Sequence, residues 1–486
     1  MNFAEAARNN ARMTITENGA LAYNTSGNAL VDLYATIGAL RNADEERVLR
    51  LFGEAYREDP LTATKIAFYA RDCRGGLGER KVFYSILKYL AKYHKEALIP
   101  NLDLIGVYGC YIDLYELVGT PVEDEMWKAM KKQFDEDVSN LIAGYSVSNL
   151  AKWIKSADSK NPNTRALGIM TAHKLGYSVY TFKRIVKKLR KKIGIVESLM
   201  SQNLWDEIVY SSVPSRAMKI YSEAFKRHDE DRFDAFLDKA VEGKAKINSS
   251  TLYPYDLIEK ISSWRGVRED KAVEAQWRQL PNYVDGDFSA MVVADTSGSM
   301  TGRPMNTSVG LAIYFAERNK GAYHNMFMSF SRKSTIHVLK GETLAQKINS
   351  IDKSDWDNNT NLEEAFRKIL RIAVENKVPK SEMIKALVIV TDMEIDRTEH
   401  SGWLFYDQMR AEYAAAGYEI PNIIFWNVNS RHDTFHSDST RKGVQLVSGQ
   451  SVSTFKNVMS CVGMTPTEAM YHTINAERYA PITIGV

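Results

Sequence analysis

The sequence predicts an α-helical array joined to an α/β unit built on a doubly wound, mostly parallel sheet. Three observations carry that expectation. Up to residue 286, apolar residues recur at three- and four-residue spacing and strand-like alternation is scarce. From Asp287 onward, short apolar runs alternate with amphipathic segments, the pattern of strands and helices in a sheet covered on both faces. Between them, Pro281-Asn-Tyr-Val-Asp285-Gly286 places a proline and a turn signal where the period changes. A chain of 486 residues also exceeds what one hydrophobic core usually organises.

The expected divisions are a polar arm over 1–27, a helical region over 28–286 and the α/β unit over 287–486. The arm carries turn signals at Asn9-Asn10, Asn18-Gly19 and Ser26-Gly27, and reads as an extended lead-in outside the packed layers. Helices follow over 28–40, 46–58, 61–71, 82–94, 111–117 and 125–142, each with one apolar stripe. Their pairing recurs loosely, about every 40 residues, which suits a HEAT-like solenoid; an irregular bundle is the alternative. Trp264-Arg265 to Trp277-Arg278 forms a further amphipathic segment.

Two basic features stand out in this half. Arg74-Gly75-Gly76-Leu-Gly78-Glu79-Arg80-Lys81 puts three glycines and three cations just before a helix. Its amides, with Arg74, Arg80 and Lys81, are arranged as a phosphate cradle would be, or simply form a helix–helix turn. The glycine spacing fits neither a Walker loop nor a dinucleotide fingerprint. The second feature, Lys183-Arg184-Ile-Val-Lys187-Lys188-Leu-Arg190-Lys191-Lys192, holds seven cations and no acid. Phe182, Ile185, Val186, Leu189 and Ile193 make a helical stripe, so the cations share the opposite face. Like charges so placed repel, and a polyanion relieves that repulsion. A solvated helix face is the plainer reading.

Composition narrows the class. Hydrophobic and charged fractions of 44% and 25% are ordinary for a globular protein. No apolar run is long enough to span a bilayer, and the first residues lack an apolar signal core. Three scattered cysteines support neither a disulfide framework nor a zinc site, so a cytoplasmic, reducing setting is expected. Charge is nearly even: +4 before Asp287 and −1 from there on.

In the α/β unit, strands are expected near 289–294, 324–330, 335–339, 384–391 and 422–429. Helices are expected near 304–319, 362–376, 403–416 and 453–475. The first strand ends in Asp295-Thr-Ser297-Gly-Ser299, which gives one carboxylate and two hydroxyls on one turn. Three hard oxygen donors there suit an octahedral cation such as Mg²⁺. Open α/β sheets bind ligands at the carboxyl ends of their strands, so the remaining donors should come from that edge. Thr360, in Asp357-Asn-Asn-Thr-Asn361, and Asp392, after Ala386-Leu-Val-Ile-Val-Thr391, fit. His432 and His436 lie four apart but have no glutamate placed as in a zinc protease. Glu394 and Asp396 alternate with Asp392 and read as solvent-facing or as supports for the ligands. An enzyme is not expected; a Mg²⁺-dependent nuclease on this acidic edge is the catalytic alternative.

Asp295-x-Ser297-x-Ser299, Thr360 and Thr391-Asp392 resemble the metal-ion-dependent adhesion site of von Willebrand A domains. A helical array before such a domain resembles the Ro autoantigen family, whose helical part is called the TROVE module. The layout is similar, closer still, to uncharacterised plant, fungal, bacterial and phage proteins. That match rests on Asn28-Ala-Leu-Val-Asp-Leu33, Asp59-Pro60, Arg71-Asp72 to Arg80-Lys81, Tyr108-Gly109 and Leu150-Ala-Lys-Trp153, continued by Asn359-Thr360-Asn361 and Thr391-Asp392-Met393-Glu394. The resemblance implies a ring of helical repeats bridged by the metal-binding domain, and binding of small structured RNA rather than DNA or membrane. It implies Mg²⁺ or Mn²⁺ held by Asp295, Ser297, Ser299, Thr360 and Asp392. The RNA-facing candidates are Lys183, Arg184, Lys187, Lys188, Arg190, Lys191 and Lys192, with Arg74, Arg80 and Lys81. The other reading is a protein-interaction module whose metal site grips an acidic group of a partner.

Overall fold

The computed structural model describes residues 12–263, 266–284, 286–330, 332–351, 356, 359–397 and 404–485. Trp264, Arg265, Asp285, Asp357 and Asn358 therefore lie outside the described residues, as do the first turn signal of the arm and part of the helix expected from 403. Two strands, β1 (Met13–Ile15) and β2 (Leu21–Tyr23), pair antiparallel. The stretch expected as an unpacked lead-in is thus a hairpin, and its second strand buries Ala22 and Tyr23.

Helices then run to residue 261, among them Ala29–Thr36, Glu45–Glu58, Pro60–Arg71, Lys81–Tyr93, Glu123–Ala143 and Val179–Ile193. Several begin where the residues supply a cap. Asn28 accepts the Val31 amide at 2.9 Å, and Asp59 accepts those of Leu61 and Thr62 ahead of Pro60 in the first turn. Tyr111–Leu117, expected as a helix, is 3₁₀. A small ribbon, β3 (Ser262–Ser263) with β4 (Gly266–Val267), precedes helix Lys271–Arg278.

The sheet contains β5 (Ala290–Asp295), β6 (Met326–Phe330), β7 (Ser334–Val338), β8 (Ala386–Thr391), β9 (Asn422–Asn427) and β10 (Val444–Ser448). Its order is β10-β9-β8-β5-β6-β7, parallel throughout except for β7 at one edge. Every residue of β5 and β8 is buried, as strands covered on both faces must be. The single helix expected over 453–475 is two, Thr454–Ser460 and Pro466–Ile474. Gly463 at φ +89° and Pro466 in the second helix's first turn break it.

Helical array and sheet share one core. One apolar cluster runs through residues between Ala20 and Leu189 and resumes between Leu252 and Ile482. A second, separate cluster occupies residues between Val196 and Ile247, joined by Ala272 and Ala275. Helix Ala29–Thr36 lies against β10, and helix Pro254–Ile261 lies against helix Arg303–Arg318. Both ends of the array therefore dock on the α/β unit. The first contact depends on glycine: a Cβ on Gly38 would come within 2.7 Å of the Gly449 backbone.

Candidate metal centre and basic face

β5 and β8 are neighbours, with Ala294 beside Val390, so Asp295 and Asp392 leave the sheet at the same edge. The Thr391 hydroxyl donates to Asp295 Oδ2 at 2.6 Å and the Ser297 amide to Asp295 Oδ1 at 2.9 Å. The Ser297 and Ser299 hydroxyls stand 3.1 Å apart. Thr360 is tied to the end of β8 by two bonds with Asp396, its amide donating to Oδ2 at 2.8 Å and its carbonyl accepting at 3.0 Å. Asp295, Ser297, Thr360 and Asp392 are buried and Ser299 is exposed. Burial, then the charge of Asp392, pushes the Asp295 carboxyl up to about 7. Two carboxylates in one dry place, with hydroxyls beside them, form a donor set that suits a hard divalent cation.

The hairpin crosses this edge. The Glu17 amide donates to Glu394 Oε2 at 2.7 Å. Asn18 Nδ2 reaches the Glu394 carbonyl at 2.7 Å and Thr360 Oγ1 at 3.4 Å. The Thr16 hydroxyl donates to the Ile395 carbonyl at 2.7 Å. Arg431, just past β9, bridges the two layers: Nη2 lies 3.0 Å from Asp392 Oδ2 and Nη1 2.5 Å from the Glu17 carboxylate. Glu394 is buried and held rather than solvent-facing.

His432 does have acidic partners, in space rather than in sequence. Its Nδ1 stands 3.1 Å from Glu394 Oε1 and its Nε2 3.6 Å from Glu17 Oε1, so these three offer atoms within 4.8 Å of one another. His436 is apart from them, fully enclosed, with Nε2 at 2.9 Å from the Met393 carbonyl and its pKa lowered to about 4 by burial. Sequence reasoning missed Glu17, Asn18 and Arg431; the one hint was the alternation of Asp392, Glu394 and Asp396.

The basic helix Val179–Ile193 packs its apolar stripe on Glu123–Ala143 and on the short helix Leu150–Trp153. Lys183, Arg184, Lys187, Lys188, Lys191 and Lys192 are exposed. Lys183 pairs with Asp158 at 3.1 Å, Lys192 donates to the Gly144 carbonyl at 3.0 Å, and Arg184 lies over the exposed Tyr180 ring. Arg190 is the exception. It turns inward, donating to the Ala151 carbonyl at 2.8 Å and the Ile154 carbonyl at 3.0 Å, so it holds the fold instead of facing a ligand.

The glycine loop is not a phosphate cradle. Asp72 Oδ1 takes the Arg74 and Gly75 amides at 3.0 and 3.2 Å. The Gly76, Leu77, Gly78 and Glu79 amides go to the carbonyls of Asp72, Tyr69, Asp72 and Ala70. Asp72 is in turn clasped by Arg478 and Tyr479. A Cβ at Gly76 would lie 2.1 Å from the Tyr69 carbonyl oxygen, so that glycine serves close packing. Arg74, Arg80 and Lys81 remain as exposed cations, Arg74 donating to the Val107 carbonyl at 2.7 Å. The loop packs on Arg478 and Tyr479, and the basic helix on Glu123–Ala143.

Comparison with known proteins assigns the helical half. The family described as "Domain of unknown function (DUF2828)" matches residues 16–161 and 144–286, more than half of the chain. The chain belongs to this family. A second description, "Domain of unknown function (DUF7788)", matches residues 289–480. The DUF2828 chain is 29% identical over 518 residues to "Uncharacterized protein L728" of Acanthamoeba polyphaga mimivirus, covering 98% of this chain and 89% of that protein. It is also similar to the crystal structure of the Deinococcus radiodurans RO (RSR) protein, at TM-score 0.45 and 12% identity, over 88% of this chain and 93% of that one. Among the described residues, no helix is long and apolar enough to cross a membrane.

Proposed function

We propose that this DUF2828 protein is a non-catalytic RNA-binding protein, a Ro-like ribonucleoprotein component of the cytoplasm. Its helical half would form a HEAT-like array, and its von Willebrand A-like half would hold a divalent ion. The observation that carries the reading is the open face of helix Val179–Ile193, where, among the described residues, six exposed cations form one ion pair, Lys183 with Asp158. Such a face attracts the phosphates of a small structured RNA and releases their counterions. Tyr180, 70% exposed beside Arg184, adds a ring on which an unpaired base can stack. Asp295, Ser297, Ser299, Thr360 and Asp392 would hold Mg²⁺ or Mn²⁺, which supplies positive charge at the edge for an acidic group.

Reversing Lys187, Lys188, Lys191 and Lys192 to glutamate tests the reading. A gel shift with a short structured RNA should lose binding, while the melting temperature stays near that of the parent. Unchanged binding sinks it.

A second reading, a protein-interaction module gripping a partner's carboxylate, is favoured by Glu17. That acid already lies across the edge, on the arginine that holds Asp392. A protein partner lost on Asp295→Ala or in chelator, with no nucleic acid co-purifying, would select it.

A further inference from the structure

Three guanidiniums converge where the helical array meets the α/β unit. Arg41 lies in the 3₁₀ turn Ile37–Asn42, Arg216 in helix Ser215–His228, and Arg303 opens helix Arg303–Arg318. Arg41 is fully answered: Glu79 takes Nη2 at 2.5 Å and Nε at 3.1 Å, and Gln450 takes Nη1 at 3.0 Å. Arg216 sits over the Tyr253 ring, 3.7 Å from Asp256, a carboxylate that already accepts Lys219 at 2.9 Å.

Arg303 is not answered. Its guanidinium stacks 4.0 Å from the Tyr255 ring centre. Its Nε is buried without a hydrogen-bond partner, and among the described residues no acceptor or carboxylate pairs with the rest of the group.

An arginine in water needs no protein partner, because water serves it. Arg303 is more than half withdrawn from water, and the charges of Arg41 and Arg216 face it. Glu79 is the acid nearest in effect, but it is wholly buried and committed to Arg41. Burial first, then Arg41, lowers the Arg303 pKa to about 10. A desolvated cation with unfilled donors beside two like charges is costly, and a bridging anion removes that cost. The surroundings supply more donors. Gly302 starts the 16-residue helix with no side-chain cap; Pro304 has no N–H and the Asn306 amide goes to the Gly302 carbonyl, so the first turn offers the Arg303 and Met305 amides to an anion.

We infer that Arg303, flanked by Arg216 and Arg41, is the centre of a phosphate-binding site at the seam between the helical array and the sheet unit. The forked, permanently charged guanidinium matches a tetrahedral oxyanion. The phosphate is either a backbone group of bound RNA or a free phosphate; only that choice rests on the RNA-binding proposal. Asp256, Glu259 and the wholly buried Glu79 are the acids at the site: Arg41, Arg216 and Lys219 already hold Glu79 and Asp256, and Glu259 faces Lys219 and Asn306 of the helix's first turn.

The full-length protein, with Arg303→Met and Arg303→Lys, provides the test. Thermal melts and calorimetry are run with inorganic phosphate and with sodium chloride at equal ionic strength. Phosphate should raise the melting temperature of the parent saturably beyond the chloride control. Arg303→Met should bind phosphate about tenfold more weakly or worse, and without phosphate should melt at or above the parent. Arg303→Lys should keep part of the affinity. No rise beyond chloride, or an undiminished rise in Arg303→Met, overturns the site. So does a Met variant that melts lower yet binds phosphate normally, since the arginine would then be structural.

Competition identifies the source. If inorganic phosphate displaces a fluorescent single-stranded oligoribonucleotide, the seam phosphate belongs to RNA; if both bind without competing, it is a free phosphate. Phosphate binding with no RNA binding ends the RNA reading and leaves the site. RNA binding with no phosphate effect does the reverse.

Discussion

The basic helix and the acidic edge of the sheet handle charge in opposite ways. On helix Val179–Ile193 six cations are left in water with few partners, on a helix held by the apolar stripe beneath them and by Arg190. At the edge, Asp295, Asp392 and Glu394 are withdrawn from water and each has named partners. Exposed charges are interchangeable, act through their summed field and fade with salt. Buried charges are individual: removing one partner strands the other.

Four experiments sharpen or break that contrast. The largest effect should come from Arg431→Ala, which leaves Asp392 buried beside Asp295 with no cation. Without divalent ion, stability should fall on the order of 3 kcal/mol in urea titrations, and added Mg²⁺ should restore part of it. A neutral result would mean that Arg431 is as dispensable as a surface cation.

Asp295→Asn should act with the opposite sign. The Asp295 pKa, about 7, lies above its ordinary value of 3.8. The folded state therefore holds the proton more tightly between those values, and stability falls as pH rises through that window. The slope from this group is at most about 1.4 kcal/mol per pH unit. The asparagine variant should lose that slope, become more stable than the parent at neutral pH without metal, and fail to bind Mg²⁺ by calorimetry. An unchanged pH profile would place the carboxylate outside the site.

Glu17→Gln should be milder, because Glu17 and Arg431 are both more than a third open to water. Global stability should change by less than about 1 kcal/mol. Hydrogen exchange at the hairpin amides of Glu17 and Gly19 should nonetheless quicken, as the tip loosens from the edge. Smallest of all, Lys188→Ala should leave stability within about 0.5 kcal/mol. It should lower the salt slope of RNA binding by roughly one contact.

The same contrast explains what the sequence made legible. Strands β5 and β8 were readable because doubly covered strands are continuous apolar runs. β10 was not, since Gln445 interrupts its run; that side chain is buried by donating to the Val458 carbonyl at 3.0 Å. The basic helix was readable for its period, and Arg190 carried its own warning. It stands four residues after Val186 and eight after Phe182, on the flank of the buried stripe.

Arg431 carried no local signal at all. Its partners lie 39 residues away at Asp392 and near the start of the chain at Glu17. The glycine loop misled for the same reason. Its amides look free in sequence, yet the side chain and carbonyl of Asp72 take four of them, and Arg478 holds Asp72 from 406 residues away. Pairing across such distances follows from the fold and leaves no periodic trace.

The salt dependence of RNA affinity tests the central claim most directly. Full-length protein and a short structured RNA, titrated from low to high potassium chloride, should give log affinity falling linearly with log salt. The expected slope corresponds to several phosphates, and it should collapse when Lys187, Lys188, Lys191 and Lys192 are reversed. Affinity that holds steady across that range, or that ignores the reversal, would contradict the account.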